Sequence, residues 1–160
     1  MSVLEPGETL PPLALRDERG APFPLPSGET LFVVFKTTCP TCELTWPYLD
    51  RIRRAAEGGA LRVVAVSQDP PGPTREFGER LGVDVETVYD PEPWPASDAL
   101  GVANVPTLFR VERGGAIAET IVGFDRARME GLAARAAALA GRAPTPLFQR
   151  HERVPALKPG

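Results

Sequence analysis

Cys39 and Cys42, with Pro40 and Thr41 between them, are the only cysteines of the chain. They follow an apolar run, Leu31-Phe-Val-Val-Phe-Lys36, and stand directly before a helical pattern. A sulfur at a helix N-terminus faces unpaired backbone N–H groups and the positive end of the macrodipole, and both favour thiolate over thiol. Pro40 falls at the first helical position, where its missing N–H costs nothing. Thiolates so placed either exchange disulfides or hold a soft metal. Structural zinc wants four Cys or His ligands, and beyond the two cysteines the chain has a single histidine, His151, in a distant proline-rich segment. The pair therefore reads as a redox dithiol, with neither a metal nor a cofactor expected. A non-enzymatic carrier that binds Cu(I) linearly between two thiolates is one alternative.

The flanking pattern supplies the elements that must position this pair. Leu31 to Lys36 reads as a buried strand. From Thr41 to Glu57 the residues Leu44, Tyr48, Ile52 and Ala56 recur at a helical period, Gly58-Gly59 ends the run, and Pro47 inside it predicts a kink. Leu61 to Ser67 predicts a second buried strand, Thr74 to Leu81 a short helix, Glu86 to Tyr89 a short strand, and Ala96 to Leu100 one helical turn. Gly114-Gly115 between Thr107–Glu112 and Ala116–Val122 signals a hairpin. Asp125 is placed to cap a last helix whose apolar face carries Met129, Leu132, Ala133, Ala136 and Leu139 and which Gly141 ends. Ahead of all these, Thr9–Leu15 and Ala21–Leu25 flank a turn at Asp17–Gly20 and read as an edge hairpin limited by its prolines. The whole is an α/β fold, a mixed central sheet flanked by helices.

Composition narrows the function classes. The 160 residues carry a net charge of −3 with no basic stripe, which argues against nucleic-acid binding. No run approaches the length of a membrane span. The N-terminus has neither a basic region nor a continuous apolar one, so the expected location is cytoplasmic, or else the chain is a mature domain whose leader has been removed. In a reducing compartment a C-x-x-C pair is catalytic or sensing rather than a structural staple. One domain is expected over residues 1–141. Residues 142–160 form a separate tail with four prolines, at +3 against a −6 body. Two readings of it stand: it folds back over the acidic body, or it is a disordered terminus with little to bury and dispensable for folding.

Cys39-Pro-Thr-Cys42, Pro47 and Tyr48 after it, and Gly101-Val-Ala-Asn-Val-Pro-Thr107 entering a hairpin together resemble the thioredoxin-like superfamily, in its TlpA/ResA-like thiol-disulfide oxidoreductase branch. Gly7 to Gly20 resembles that branch's N-terminal β-hairpin extension, so the similarity covers about residues 7–140. The resemblance implies that Pro106 is cis beside the cysteines and that the backbone of Val105 lies open to pair with an extended substrate segment, with Pro40 and Thr41 also in the substrate site. The chain departs from the pattern at two places. The buried acid six residues before the first cysteine is here Val33, and the acid three after the second is Thr45. Glu43 is a stand-in by position, although an acid in a first helical turn is commonly just solvated. Lys36 reads as a snorkelling lysine that, turned toward the pair, would favour a Cys39 thiolate. Thr38 stands where many relatives carry Trp, and Trp46 and Trp94 read as packing residues.

The chemistry expected is disulfide exchange. Cys39, exposed at the strand-to-helix turn, attacks as thiolate, and Cys42, drawn under the helix, resolves the mixed disulfide. The partners are disulfide-containing or dithiol proteins together with a reductant or oxidant. A peroxiredoxin-like peroxidase is the other enzymatic reading, but that family resembles Pro-x-x-x-Thr-x-x-Cys, and the corresponding residues here are Phe32 and Lys36.

Overall fold

Strand β1 (Glu29–Phe35) is buried at every position. Its residues alternate between two cores: Leu31, Val33 and Phe35 enter one, Phe32 and Val34 the other. A strand covered on both faces reads as a continuous apolar run, and such a strand must lie inside its sheet. The computed structural model, which describes residues 2–160, places it third of five, in the order β3-β2-β1-β4-β5. Strands β2 (Leu61–Ser67) and β3 (Thr87–Tyr89) run parallel to it; β4 (Thr107–Val111) pairs with it antiparallel, and β5 (Ile117–Val122) pairs antiparallel with β4 in a hairpin.

The parallel connections are helical crossovers: α1 (Pro40–Ala55) links β1 to β2, and α2 (Pro71–Leu81) links β2 to β3. α2 begins three residues before the sequence pattern suggests, because Pro71 is itself acceptable in a helix's first turn. A short helix α3 (Pro95–Leu100) leads to β4, and α4 (Arg126–Leu139) follows β5 with Asp125 as its N-cap, the carboxylate accepting from the N–H of Arg128. Leu49 and Ile52 of α1 and Met129, Leu132 and Ala136 of α4 are buried in the same core, so these two helices share one face of the sheet. α3 and the N-terminal segment, with Leu13, Leu15 and Leu100, close the other. This is a thioredoxin-like α/β fold.

The N-terminal hairpin is present in reduced form. Asp17 closes its turn by accepting from the N–H groups of Arg19 and Ala21, and Phe23 N–H donates to Leu15 O. Beyond that it is held by single bridges, Arg16 to Pro22, Arg16 to Tyr89 and Thr9 to Ala116. Pro11, Pro12, Pro22 and Pro24 remove the donors that a longer ladder would need.

The tail is docked: of its two readings it is the one that folds back over the body, and the expectation that it has little to bury is corrected. Leu147 and Phe148 are buried, and the Phe148 ring lies 4.5 Å from that of Tyr48 on α1 and 6.0 Å from that of Phe124. Glu152 forms a bidentate pair with Arg51 at 2.6 and 2.7 Å and accepts from Tyr48 Oη and Gln149 N–H. Further on, β7 (Leu157–Lys158) pairs antiparallel with β6 (Phe124–Asp125).

The Arg51 guanidinium, with the Gln149 N–H, holds the Glu152 carboxyl down at about 2, against an ordinary 4.5. A carboxyl whose pKa is depressed on folding contributes stability above its unfolded pKa and loses it as pH falls through the folded one. The difference in melting temperature between the native chain and a Glu152→Gln variant is therefore expected to be full above pH 4.5 and to shrink as pH approaches about 2. A difference that stays constant through that range would contradict the assigned pairing.

Candidate active site

Cys39 is the N-cap of α1, with extended backbone (φ −99°, ψ 113°). Its sulfur accepts a hydrogen bond from the N–H of Cys42 at 3.1 Å, so an otherwise orphaned helix donor is aimed at the thiol. The sulfur in turn donates to the carbonyl of Val105 at 3.4 Å. That carbonyl belongs to the loop between α3 and β4, and the Val105–Pro106 peptide bond is cis, as the resemblance implies. The sheet order explains the meeting: Val34, next to the end of β1, pairs with Thr107 at the start of β4, so the turn before α1 and the loop before β4 open at the same edge.

The two thiols have different surroundings. Cys42 is wholly buried, while Cys39 keeps 9% of its surface. Burial, and then the neighbouring Cys39 sulfur, push the Cys42 thiol well above the ordinary thiol range. The expectation of an exposed Cys39 is met only in relative terms: it is the more reachable of two largely covered sulfurs. The two cysteines are free thiols.

The turn that carries Cys39 is fixed by a residue the sequence reading passed over. The Asp69 carboxylate, two residues past β2, accepts from the N–H and the hydroxyl of Thr37 at 2.7 and 2.9 Å. It is also one of the charges that raise the Cys42 thiol. The signal for it was positional, an acid just past the C-terminal end of a strand parallel to β1, the edge where α/β sheets gather their sites. Asp90 was missed as well. Fully buried, it accepts from the N–H groups of Ala96 and Ser97 and from the Ser97 hydroxyl, and so holds α3 and the loop that follows.

Of the candidates near the pair, Glu43 is tied up with Arg80 at 2.6 Å on a half-exposed surface. Lys36 sets its ammonium 4.4 Å from the centre of the Trp94 ring, a cation–π contact, while the Trp94 indole donates to Gln68 O. Thr45 returns its hydroxyl to Thr41 O, and Val33 lies in the core, so no acid occupies either of the two positions where the pattern would place one. Trp46 packs between Phe35 and Phe77, with ring centres at 4.1 and 5.2 Å.

Of the substrate-site candidates, Pro40 is exposed, Pro106 is buried and Val105 is half-buried. The expectation that Val105 lies open is corrected: its carbonyl is taken by Cys39, and the backbone of Gly160 rests against it. Thr41 is 97% covered, and its hydroxyl donates to Pro159 O at 2.7 Å. Among the described residues no group of three or more His, Cys, Asp or Glu side chains is gathered for a metal, and no helix is long and apolar enough to cross a membrane.

No family model matches the chain. Over 121 residues it is 28% identical to the thiol-disulfide oxidoreductase ResA of Geobacillus thermodenitrificans (strain NG80-2), covering 73% of this chain and 69% of that protein. A structure assigned as the thiol:disulfide interchange protein DsbE of Chlorobium tepidum superposes with a TM-score of 0.72 at 23% identity, covering 86% of this chain and 99% of that one. A secreted Mycobacterium tuberculosis disulfide oxidoreductase homologous to Escherichia coli DsbE superposes with a TM-score of 0.60 at 18% identity, over 78% and 94% of the two chains. At such identities the structural likeness speaks for the fold, and the cysteine pair at the head of α1 speaks for the chemistry. The chain has a thioredoxin-like fold and is similar over most of its length to thiol-disulfide oxidoreductases of the ResA and DsbE type, and its Cys39–Cys42 pair is an enzymatic thiol-disulfide redox site.

Proposed function

We propose that the protein exchanges disulfides with protein or small-molecule thiols through the Cys39-Pro40-Thr41-Cys42 dithiol. Cys39, as thiolate, attacks one sulfur of a substrate disulfide; the substrate S–S bond breaks, one substrate thiolate leaves, and a mixed disulfide forms. Cys42 loses its proton, attacks the Cys39 sulfur and expels the second substrate thiolate, leaving an internal disulfide. Two electrons pass from the dithiol to the substrate, and a dithiol reductant restores the pair. The reverse sequence oxidises a substrate dithiol.

The observation that carries this reading is the cap geometry: a helix N–H on the Cys39 sulfur at 3.1 Å, with Cys42 buried behind it. The buried thiol, held in its protonated form, does not compete as first nucleophile, which supports the order of attack. We assign Pro40, Thr41, Val105 and Pro106 to substrate binding, supported by the place of Pro40 and Thr41 directly after Cys39 in the chain and by the Val105 carbonyl that accepts from its sulfur. The protein is expected to accelerate reduction of a generic protein disulfide by dithiothreitol. A rate equal to that of dithiothreitol alone, with both cysteines confirmed reduced, would refute the function.

A further inference from the structure

The tail has two parts that are held differently. Residues 147–152 are anchored by buried apolar side chains and the Glu152–Arg51 pair. Residues 155–160 contribute almost nothing to a core: all except Lys158 are exposed, Leu157 to 69%. Backbone contacts hold this second part instead. Ala156 O accepts from Arg126 N–H at 2.9 Å, Lys158 and Leu157 pair with Phe124 and Asp125, Pro159 O accepts from the Thr41 hydroxyl, and Gly160 lies on Val105. The fit is close enough to exclude side chains: a Cβ on Gly160 would overlap the Val105 carbonyl, and one on Gly123 would stand 2.7 Å from Lys158 O.

An extended segment paired along β6, with a carbonyl on Thr41 and its backbone against Val105, is what an extended substrate needs to reach Cys39. We propose that residues 155–160 are an internal ligand of the peptide-binding groove, a strap that covers the redox centre and that an extended disulfide-bearing peptide displaces by taking over the free edge of β6. The groove identity rests on the exchange function proposed above; the covering of Cys39 does not. Residues 147–152 keep the strap tethered at high effective concentration, so it recloses after each turnover and admits only partners that compete for the same backbone contacts. Small reagents that make none of these backbone contacts reach Cys39 only in the fraction of molecules with the strap lifted, and their apparent rate falls to that fraction.

The test is the rate at which iodoacetamide alkylates Cys39 in the reduced protein, followed as a function of pH. It compares the full chain, a Gly160→Ala variant in which the added methyl pushes the strap off Val105, and a chain ended after Val154 that keeps the Leu147, Phe148 and Glu152 anchor. Both variants are expected to raise the high-pH plateau by about tenfold, the gain of releasing a site open in roughly a tenth of molecules, with the midpoint of the profile unmoved. The synthetic peptide of residues 153–160, added to the shortened chain, should lower the plateau again. A shortened chain that reacts at the full-length plateau overturns the strap. Because alkylation needs no disulfide exchange, a raised plateau without catalysed disulfide reduction leaves the strap standing and removes the exchange function. Catalysed reduction with an unchanged plateau does the reverse.

Discussion

A chain ended after Gly141 is expected to lose about 3–5 kcal/mol of stability, on the order of 10 °C in melting temperature for a domain of this length. Leu147 and Phe148 are almost fully buried, and each such side chain contributes about 1.5–3 kcal/mol by leaving water. Their removal exposes the faces of Tyr48 and Phe124 that Phe148 covers and leaves Arg51 without Glu152. The part-buried Glu152–Arg51 pair adds to this, but the solvent reaching Arg51 screens it, so most of the loss comes from the apolar contacts. Thermal denaturation of residues 1–141 beside 1–160 checks it. The chain ended after Val154, which keeps those contacts, should melt close to the full length. Equal melting temperatures for 1–141 and 1–160 would show that the tail is an ornament on an independent body.

What the sequence made legible was local. The Cys39 cap, the all-apolar β1, the Gly114-Gly115 hairpin and the Asp125 cap of α4 each depend on neighbours within a few residues, and the structure has them where the pattern put them. What escaped depends on partners far away along the chain. Nothing near Leu147 and Phe148 announces Tyr48 as their contact, and four prolines rightly argued against a regular element while leaving room for two docked side chains and a two-residue strand. Thr41 and Val105 were read as residues that meet substrate; that they meet Pro159 and Gly160 follows only once β6 offers a free edge to the returning chain. Asp69 looked like any loop acid until the parallel pairing of β1 and β2 set it beside Thr37. Glu43 is the solvated first-turn acid that its position suggested, paired outward with Arg80.

The division of labour within the dithiol is the central claim, and replacing either sulfur has the largest expected effect on activity. Without Cys39 the first covalent step has no reachable thiol, because Cys42 is fully buried and its pKa raised by that burial. Cys39→Ser is therefore expected to reduce catalysed disulfide exchange to the background rate. Cys42→Ser should still attack and then stop, because no internal thiolate remains to break the mixed disulfide. Catalysis is lost in both, but the covalent state of the protein differs.

That difference is the most direct measurement. Each variant is incubated with a protein disulfide substrate, quenched with acid, and the intact masses are read. Mixed disulfide at Cys39 in most of the Cys42→Ser protein, with next to none in Cys39→Ser, is the predicted result. Equal trapping by the two variants, or trapping through Cys42 alone, would contradict the assignment and with it the role given to the helix N-terminus at Cys39.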